Sequence, residues 1–276
     1  MPRIEHAIDP FLFRIGDGFG IRWYSLAYVL GLFLVRWYLV RSSRRGEIGK
    51  LDEEGVDSYV VGAFMAALLG ARLFHVFVFE FGRYGFDPLA WVAVWRGGLS
   101  FHGGLVGVAV ATWLFCRRRG VSFYGIADRA VVPIAVTLGF GRIANFINAE
   151  MYGTPYTGPF CVDYSGSPYM AAPPSGCRHP TQLYEMLKNW VLAGVLLALL
   201  HRRPPPGVVF WSFIGLYGLV RFVLMYVREE ARVWQGLTQS QLFSGGMAVA
   251  GVAMVAWLML SARSGGADGP TRPRRT

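Results

Sequence analysis

The chain has 276 residues, of which 54% are hydrophobic and 16% are charged. Soluble domains carry about 25% charged residues, so this composition excludes an ordinary soluble enzyme and indicates an integral membrane protein. The formal net charge of +10 is largely explained by basic loops and a basic tail. Without a soluble basic face or a recognition motif, it does not indicate nucleic-acid binding.

Apolar stretches that approach the roughly 20 residues needed to cross hydrocarbon recur along the chain. We interpret them as about seven transmembrane helices of one all-α bundle, within a single membrane domain over residues 1–262. The predicted spans are 21–40, 56–79, 99–116, 124–148, 182–200, 207–227 and 241–260. The segment 86–95 is predicted to be a short interfacial or re-entrant piece.

Basic residues in the loops predict the orientation, because cytoplasmic loops carry an excess of Lys and Arg. Thirteen such residues follow the first, third, fifth and seventh spans, against eight on the opposite side. The N-terminus is therefore expected outside and the C-terminus in the cytoplasm, with an outward loop or head region between the fourth and fifth spans. Residues 263–276 are rich in Gly, Pro and Arg and are expected to form a disordered cytoplasmic tail.

Two of the three cysteines, Cys161 and Cys177, fall in the predicted outward loop, which would lie in an oxidising compartment. One interpretation is a disulfide between them, and the other is two thiols present by chance. Both stay open, because sequence does not set the geometry that a bridge requires.

Motifs of soluble enzymes are incomplete in this chain. The run from Gly139 to Ala144 matches G-x-G-x-x-A, but it lies in a membrane span instead of a βαβ unit. The glycines around residue 100 lack the G-K-[ST] of a phosphate-binding loop, the five histidines show no paired metal spacing, and no G-x-S-x-G elbow is present. The sequence therefore predicts neither a metal site nor a cofactor.

Arginines inside apolar spans are the most informative polar residues. A guanidinium is costly in hydrocarbon and is tolerated when it faces a bundle interior and holds an anion. Arg142 and Arg221 lie in the fourth and sixth spans with few acids nearby, and we predict that they bind a missing anion. The structural alternative is pairing with Glu150, Glu185 or backbone carbonyls. Arg72 either binds the same anion or attaches the second helix to its neighbours.

Other polar residues have a structural interpretation beside a functional one. His102 stands before two glycines at the start of the third span, where it is either a packed, hydrogen-bonded residue or a proton acceptor. Tyr24 follows a tryptophan and also fits an aromatic interface belt. Asn145 shares a helix face with the arginine three residues before it. Thr181 is interpreted as the N-cap of the fifth span, with Glu185 in the early turns.

Four motifs, in this order, resemble one family. They are Trp-Tyr at 23–24, Phe-His-Gly-Gly-Leu at 101–105, Gly-Arg-Ile-Ala-Asn-Phe-Ile-Asn-Ala-Glu-Met-Tyr-Gly at 141–153 and Arg-His-Pro-Thr-Gln-Leu-Tyr-Glu at 178–185. From about Pro10 to the last span, the chain resembles the bacterial prolipoprotein diacylglyceryl transferases.

The resemblance implies a multi-pass enzyme of the bacterial plasma (inner) membrane with its active site toward the outer leaflet. Such an enzyme transfers the diacylglyceryl group of phosphatidylglycerol to the lipobox cysteine in a prolipoprotein signal peptide. The product is a thioether, and glycerol phosphate is released. The implied partners are thus phosphatidylglycerol, the prolipoprotein and the lipid bilayer, with no metal or cofactor.

The resemblance also implies site residues by motif position. They are Tyr24, His102, Arg142, Asn145, Glu150, Gly153 and Arg221. We expect Arg142 and Arg221 to clamp the lipid phosphate, with Arg72 as a further candidate for binding it. His102 would accept or relay the thiol proton.

The remaining implied residues support this clamp. Tyr24 and Asn145 are expected to orient the lipid head group. Glu150 is expected to fix the arginine of its own motif, and Gly153 to let the outward loop pass close to the site.

The chain departs from the family pattern at three positions. Met225 stands four residues after Arg221, where the family usually has an acid, although acids follow at 229–230. Ala144 and Ala149 replace glycines that are usual in the arginine motif. Two alternatives therefore stay open: a diverged member with another acceptor, and an anion-binding membrane transporter. A transporter would be expected to show inverted repeats, and no second copy of the arginine motif occurs.

Overall fold

The computed structural model describes residues 3–15 and 19–267, and the chain divides into two compact units. The first comprises Met1–Leu34 and Ala127–Thr276, and the second comprises Val35–Ile126. The α-helices of the described residues are α1 Trp23–Arg44, α2 Glu53–Phe74, α3 Phe81–Tyr84, α4 Pro88–Val92, α5 Phe101–Arg119, α6 Phe123–Ile147, α7 Thr181–His201, α8 Val208–Leu224 and α9 Gln239–Ala267.

Five helical stretches are long and apolar enough to cross a membrane. They are Trp23–Arg44, Glu53–Phe79, Phe123–Ile147, Thr181–His201 and Gln239–Ser264. The predicted sixth span is the shorter apolar helix α8, and the predicted third span is α5. Large apolar side chains on these helices are exposed, such as Val249 and Val252 at 72% and 68%. Such exposure is unfavourable in water and favourable in lipid, so the protein is a helical, multi-pass membrane protein.

The predicted tail falls partly within α9. This helix continues to Ala267, and the rest of the tail, 268–276, lies outside the described residues.

In the second unit, α2 and α5 pack closely. The Asp52 carboxylate caps α2 by accepting a hydrogen bond of 2.9 Å from the Gly55 amide. A Cβ atom on Gly103 would lie 2.3 Å from the carbonyl oxygen of Gly70, so only glycine allows this approach of the two helices.

Short helical pieces connect α2 to α5. A π-helical turn, His75–Phe79, extends α2, and α3, α4 and a 3-10 turn at Val94–Arg96 follow. The predicted short piece at 86–95 is therefore α4 with part of the 3-10 turn. Asp87 caps α4 by accepting a hydrogen bond of 3.0 Å from the Leu89 amide.

In the first unit, Asp128 of α6 ties that helix to the start of α8. Its two carboxylate oxygens accept hydrogen bonds of 2.7 Å from the Gly207 and Phe210 amides. Free N–H groups at a helix start need such acceptors, so this carboxylate fixes where α8 begins.

A small sheet forms the base of the loop between α6 and α7. It consists of β1 Ile4–Glu5, β4 Val162–Asp163 and β5 Cys177–Arg178, with β1 parallel and β5 antiparallel to β4. Two hairpins complete the strands: β2 Phe11–Ile15 with β3 Phe19–Arg22, and β6 Arg232–Trp234 with β7 Leu237–Thr238.

A disulfide and a small apolar core stabilise this loop. Cys161 and Cys177 are bonded, with Cα atoms 5.5 Å apart, which answers the question that the sequence left open. Ala149, Val162 and Tyr164 form the buried core beside the bridge.

Candidate active site

Polar side chains from four helix ends meet in the first unit. Tyr24 is the second residue of α1, and Glu185 lies in the second turn of α7. Arg142 and Asn145 lie in the last two turns of α6, and Arg221 lies in the last turn of α8. The starts of α1 and α7 therefore meet the ends of α6 and α8.

One buried carboxylate, that of Glu185, lies at the centre of this site. Its side chain is 3% exposed, and four cations contact it. The contacts are Arg142 Nε at 3.0 Å, Lys188 Nζ at 3.6 Å, Arg221 Nη1 at 3.5 Å and Arg228 Nη1 at 3.5 Å.

The charges of this cluster do not balance. Four cations contact one carboxylate, so the cations exceed the charge of Glu185 by three. The cationic side chains are only 4–19% exposed, so water screens them poorly. An excess of buried positive charge favours the binding of an anion.

Arg142 pairs with Glu185, one of the acids that the sequence offered as its partner, and the expected role of Glu150 toward Arg142 stays a prediction. The Glu150 carboxylate accepts hydrogen bonds from Asn145 Nδ2 at 3.2 Å and from Asn148 Nδ2 at 3.4 Å.

Asn145 links three of the predicted site residues. Its Nδ2 group donates to the Tyr24 hydroxyl and to Glu150 Oε2, and its Oδ1 atom accepts from Arg142 Nη1 at 3.3 Å. Because the residue is only 3% exposed, its amide orientation is set by these partners. Asn145 therefore fixes the tyrosine hydroxyl relative to the arginine.

The turn after α6 is held by the first turn of α7. Ala149 and Met151 adopt φ angles of 55° and 59°, in the left-handed region that costs a residue with a side chain about 1–2 kcal/mol. Gln182 Nε2 donates to Glu150 O at 2.6 Å, and Thr181 Oγ1 donates to Met151 O at 2.7 Å. These bonds keep the turn in its unfavourable conformation.

The interpretation of Thr181 as a helix cap is thus wrong. The N-cap position of α7 is Pro180, which makes no side-chain capping bond, and Thr181 is the first helical residue. Its hydroxyl is used by the neighbouring turn instead of by its own helix.

Gly153 lies where no side chain fits. A Cβ atom there would lie 2.5 Å from Val227 O and 2.6 Å from His179 Cβ. The Gly153 amide donates to His179 O at 2.9 Å, so the loop after α6 is joined to the segments before α7 and after α8. Burial lowers the pKa of the His179 imidazole, whose ring stacks on Tyr156 at 3.9 Å.

Comparison with known proteins identifies the family of this chain. Residues 10–257 match the family model described as prolipoprotein diacylglyceryl transferase. The chain belongs to this family.

Curated relatives cover most of the chain. A phosphatidylglycerol–prolipoprotein diacylglyceryl transferase of Geobacter sulfurreducens is 39% identical over 80% of this chain and 83% of its own length. Proteins of the same name from Rhodospirillum rubrum and Vibrio vulnificus are 38% and 35% identical, covering 89% and 91% of this chain and 90% and 91% of their own lengths.

Met225, four residues after Arg221, fills the position at which the resemblance implies an acid. This side chain is 1% exposed, and Arg221 takes its carboxylate partner from Glu185. The later acids are engaged elsewhere: Glu229 pairs with Arg178, and Glu230 accepts hydrogen bonds from Ser240.

Two predicted site residues, Arg72 and His102, belong to the second unit. Arg72 is fully buried and donates from Nε to Ala90 O at 3.0 Å and from Nη1 to Gly97 O at 2.7 Å. These contacts fit attachment of α2 to its neighbours, one of the two roles considered for it. His102 is an exposed residue in the first turn of α5, with its ring centroid 6.3 Å from that of Phe74.

Three residues of the cluster were missed in the sequence: Lys188, Tyr217 and Arg228. Lys188 Nζ lies 3.8 Å above the Tyr217 ring, and the Tyr217 hydroxyl accepts from Arg221 Nη1 at 3.4 Å. A signal existed for Lys188, because a lysine inside an apolar span, one turn after an acid, is itself an intramembrane charge.

Within residues 3–15 and 19–267, no group of three or more His, Cys, Asp or Glu residues is placed to hold a metal ion.

Proposed function

We propose that this protein transfers the diacylglyceryl group of phosphatidylglycerol to the lipobox cysteine of a prolipoprotein, and that the cations around Glu185 bind the lipid phosphate. The observation that carries this proposal is the excess of three positive charges over that carboxylate. A phosphodiester is the anionic group of phosphatidylglycerol, and membership of the family supports the same substrate.

The reaction requires a strong anion site for its leaving group. The cysteine sulfur attacks the glycerol carbon that bears the phosphate, so a carbon–sulfur bond forms while the carbon–oxygen bond breaks. The electron pair of the broken bond leaves with glycerol phosphate, and the thiol proton passes to a base. The phosphate changes from a diester with one negative charge to a monoester with about −1.5 to −2, so fixed cations stabilise the transition state more than the substrate.

Glu185 keeps the two clamping arginines in place. A guanidinium has five N–H donors, and the contacts of Arg142 and Arg221 with one carboxylate oxygen leave other donors for phosphate oxygens. Because Glu185 is buried, it orients these donors before the lipid arrives. Such preorganisation makes electrostatic stabilisation effective.

Tyr24 is proposed to contact the lipid head group. Its hydroxyl oxygen accepts from Asn145 Nδ2, which leaves the phenolic proton free to be donated to the lipid. Glu150 accepts the second amide proton of Asn145 and acts as a positioning residue for that amide.

His102 stays the proposed acceptor of the thiol proton. A neutral imidazole nitrogen can accept a proton from a cysteine thiol, and His102 is an exposed residue. The His102→Gln variant is expected to lose about 10²–10⁴-fold in transfer while keeping its affinity for phosphatidylglycerol. An unchanged rate would reject histidine as the base.

The proposed topology has seven crossings, with the N-terminus outside, the C-terminus in the cytoplasm and the site toward the outer leaflet of the bacterial inner membrane. The loop basic residues support this orientation. The disulfide between Cys161 and Cys177 also supports it, because the bridge needs an oxidising compartment. The site then lies at the depth of a phospholipid head group and of an exported cysteine.

A transfer assay tests the proposed function. Purified protein is incubated with labelled phosphatidylglycerol and a lipobox peptide, and the thioether is detected by mass. The Arg142→Gln and Arg221→Gln variants are each expected to lose about 10²–10³-fold in turnover. Arg118→Gln, at an exposed arginine in the last turn of α5, is the matched control and should keep full turnover. Absence of thioether with the wild-type protein would reject the proposed activity.

Met225 offers a test of how the arginine of α8 is held. Because Glu185 already pairs with Arg221, the Met225→Glu variant is not expected to raise turnover. A rise of about tenfold or more would show that the buried methionine weakens the clamp. Met225→Leu, which also stays apolar, is the matched control.

A further inference from the structure

A cationic cavity lies in the segment between α2 and α5, wholly within the second unit. Its volume is about 380 Å³, within the range of small-ligand sites. Three arginines line it, Arg72, Arg83 and Arg96, against one carboxylate, that of Glu80. With a neutral histidine, the lining residues carry a net charge of about +2, so the cavity favours an anion.

Arg72 provides a buried and preorganised cation for this cavity. The residue is fully buried, and two of its guanidinium nitrogens donate to main-chain carbonyls. The third, Nη2, is buried and finds no hydrogen-bond partner among the described residues. A buried, unpaired N–H donor is costly, and Arg72 is one of the residues that line the cavity.

The other side chains arrange the rim. Glu80 Oε2 lies 3.5 Å from His75 Nε2, and its Oε1 lies 3.7 Å from Arg83 Nη1. The Tyr84 ring lies beneath two guanidinium carbons, those of Arg72 at 5.0 Å and Arg83 at 5.4 Å. The carboxylate thus orients the imidazole and Arg83 without neutralising all three arginines.

Two glycines close the cavity on one side. Gly97 and Gly98 adopt φ angles of 76° and 65°, and a Cβ atom on Gly98 would lie 2.4 Å from His75 Nε2. The backbone therefore approaches the imidazole and the buried arginine more closely than any other residue type allows.

The surroundings of the cavity are those of a membrane interface. Phe86, Trp95 and Leu89 are 80%, 72% and 64% exposed on the same connecting segment. Aromatic side chains of this kind anchor at the level of lipid head groups. A phosphate at this depth is carried by a phospholipid or diffuses in from the water.

We propose that this cavity binds a phosphate group, presented by an anionic phospholipid head group or by a free phosphate ester. This site is made of residues to which the transfer mechanism assigns no step, and it goes beyond the proposed function. Arg72 forms its base, and Arg83 and Arg96 supply the exposed donors.

Binding measurements on the purified full-length protein test the proposal. In one arm, dioctanoyl phosphatidylglycerol is titrated against dioctanoylglycerol, which lacks the phosphate, and bound lipids are counted by native mass spectrometry. In the other arm, glycerol phosphate is titrated and its binding is followed by hydrogen–deuterium exchange of residues 75–98. The variant is Arg83→Gln with Arg96→Gln, because both residues are exposed. The matched control is Arg118→Gln.

The double variant is expected to bind one fewer equivalent or to bind it roughly tenfold more weakly, since it loses two charge-assisted contacts. Loss in the lipid arm alone identifies a phospholipid site, and loss with glycerol phosphate identifies a site open to free phosphate. Unchanged stoichiometry and affinity in both arms would overturn the proposal. Protection confined to peptides around Glu185 would overturn it as well.

The transfer assay distinguishes a failure of this cavity proposal from a failure of the proposed function. A wild-type protein that forms no thioether but shows phosphate-dependent protection of residues 75–98 rejects the transferase and supports the cavity. The opposite pair of results supports the transferase and rejects the cavity.

Discussion

Removal of the Glu185 carboxylate should destabilise the first unit more than removal of any exposed acid. The Glu185→Gln change keeps the shape of the side chain and leaves four cations without their shared anion. At about 3.5 Å and an effective dielectric constant near 20, one such pair attracts by about 5 kcal/mol before desolvation is subtracted.

The expected net cost is smaller than the sum of these attractions. Breaking a buried ion pair by removing one partner costs about 3–5 kcal/mol, because the other charge stays buried. For a protein of this size, that cost corresponds to a fall in unfolding temperature of about 6–20 °C. Here the remaining cations also repel one another, so the upper part of the range is expected.

Thermal unfolding in detergent, followed by tryptophan fluorescence near neutral pH without added lipid, measures this cost. The matched control is Glu53→Gln, whose carboxylate is 43% exposed and pairs with Arg36 and Arg44. Exposed pairs of this kind contribute about 0–1 kcal/mol. Glu185→Gln should also gain more stability than the wild type from added phosphatidylglycerol, since a phosphate replaces the lost charge. Equal unfolding temperatures for the two variants would refute the charge argument.

Three further predictions concern the loop and the N-terminal segment. Gly153→Ala is expected to cost about 1–3 kcal/mol of stability, because its Cβ atom would overlap a main-chain oxygen at 2.5 Å; thermal unfolding of Gly166→Ala, where nothing lies within 4 Å, is the control. Replacing Cys161 and Cys177 by serine should cost about 3 kcal/mol, and reductant should then no longer lower the unfolding temperature. Burial lowers the pKa of His6 below its ordinary value of 6.5, so the unfolded state binds this proton more tightly. The contribution of His6 to the free energy of unfolding is fully present above pH 6.5 and decreases as the pH falls. A His6→Gln variant that loses as much stability as the wild type between pH 6.5 and 5 would contradict this.

The helical segments were predictable because apolar runs of bilayer length have few alternatives. In hydrocarbon, a helix satisfies every backbone hydrogen bond within its own segment, so hydropathy alone locates α1, α2, α6, α7 and α9. The short elements between α2 and α5 were predicted only as an irregular piece. Their conformation depends on contacts such as that of Arg72 with Ala90 and Gly97, which connect residues far apart in the chain.

The site was predictable as a set of motif residues but not as a charge network. Arg142 and Asn145 are neighbours on one helix face, and spacing shows this directly. The sequence offered both Glu150 and Glu185 as partners of Arg142, and only the structure shows that Glu185 of α7 pairs with it. The conformation of Ala149, with φ of 55°, likewise depends on Gln182 and Thr181 of α7.

The sequence by itself determined that this protein spans a membrane, that arginines lie inside its helices and that its motifs are those of the diacylglyceryl transferase family. These properties follow from composition and from residue spacing along single helices. Only the tertiary structure decided which carboxylate the arginines share, that Lys188 and Arg228 join them, and that Arg72 belongs to a cationic cavity. Charges interact through space at distances of 3–4 Å, and the packing of separate helices alone sets those distances.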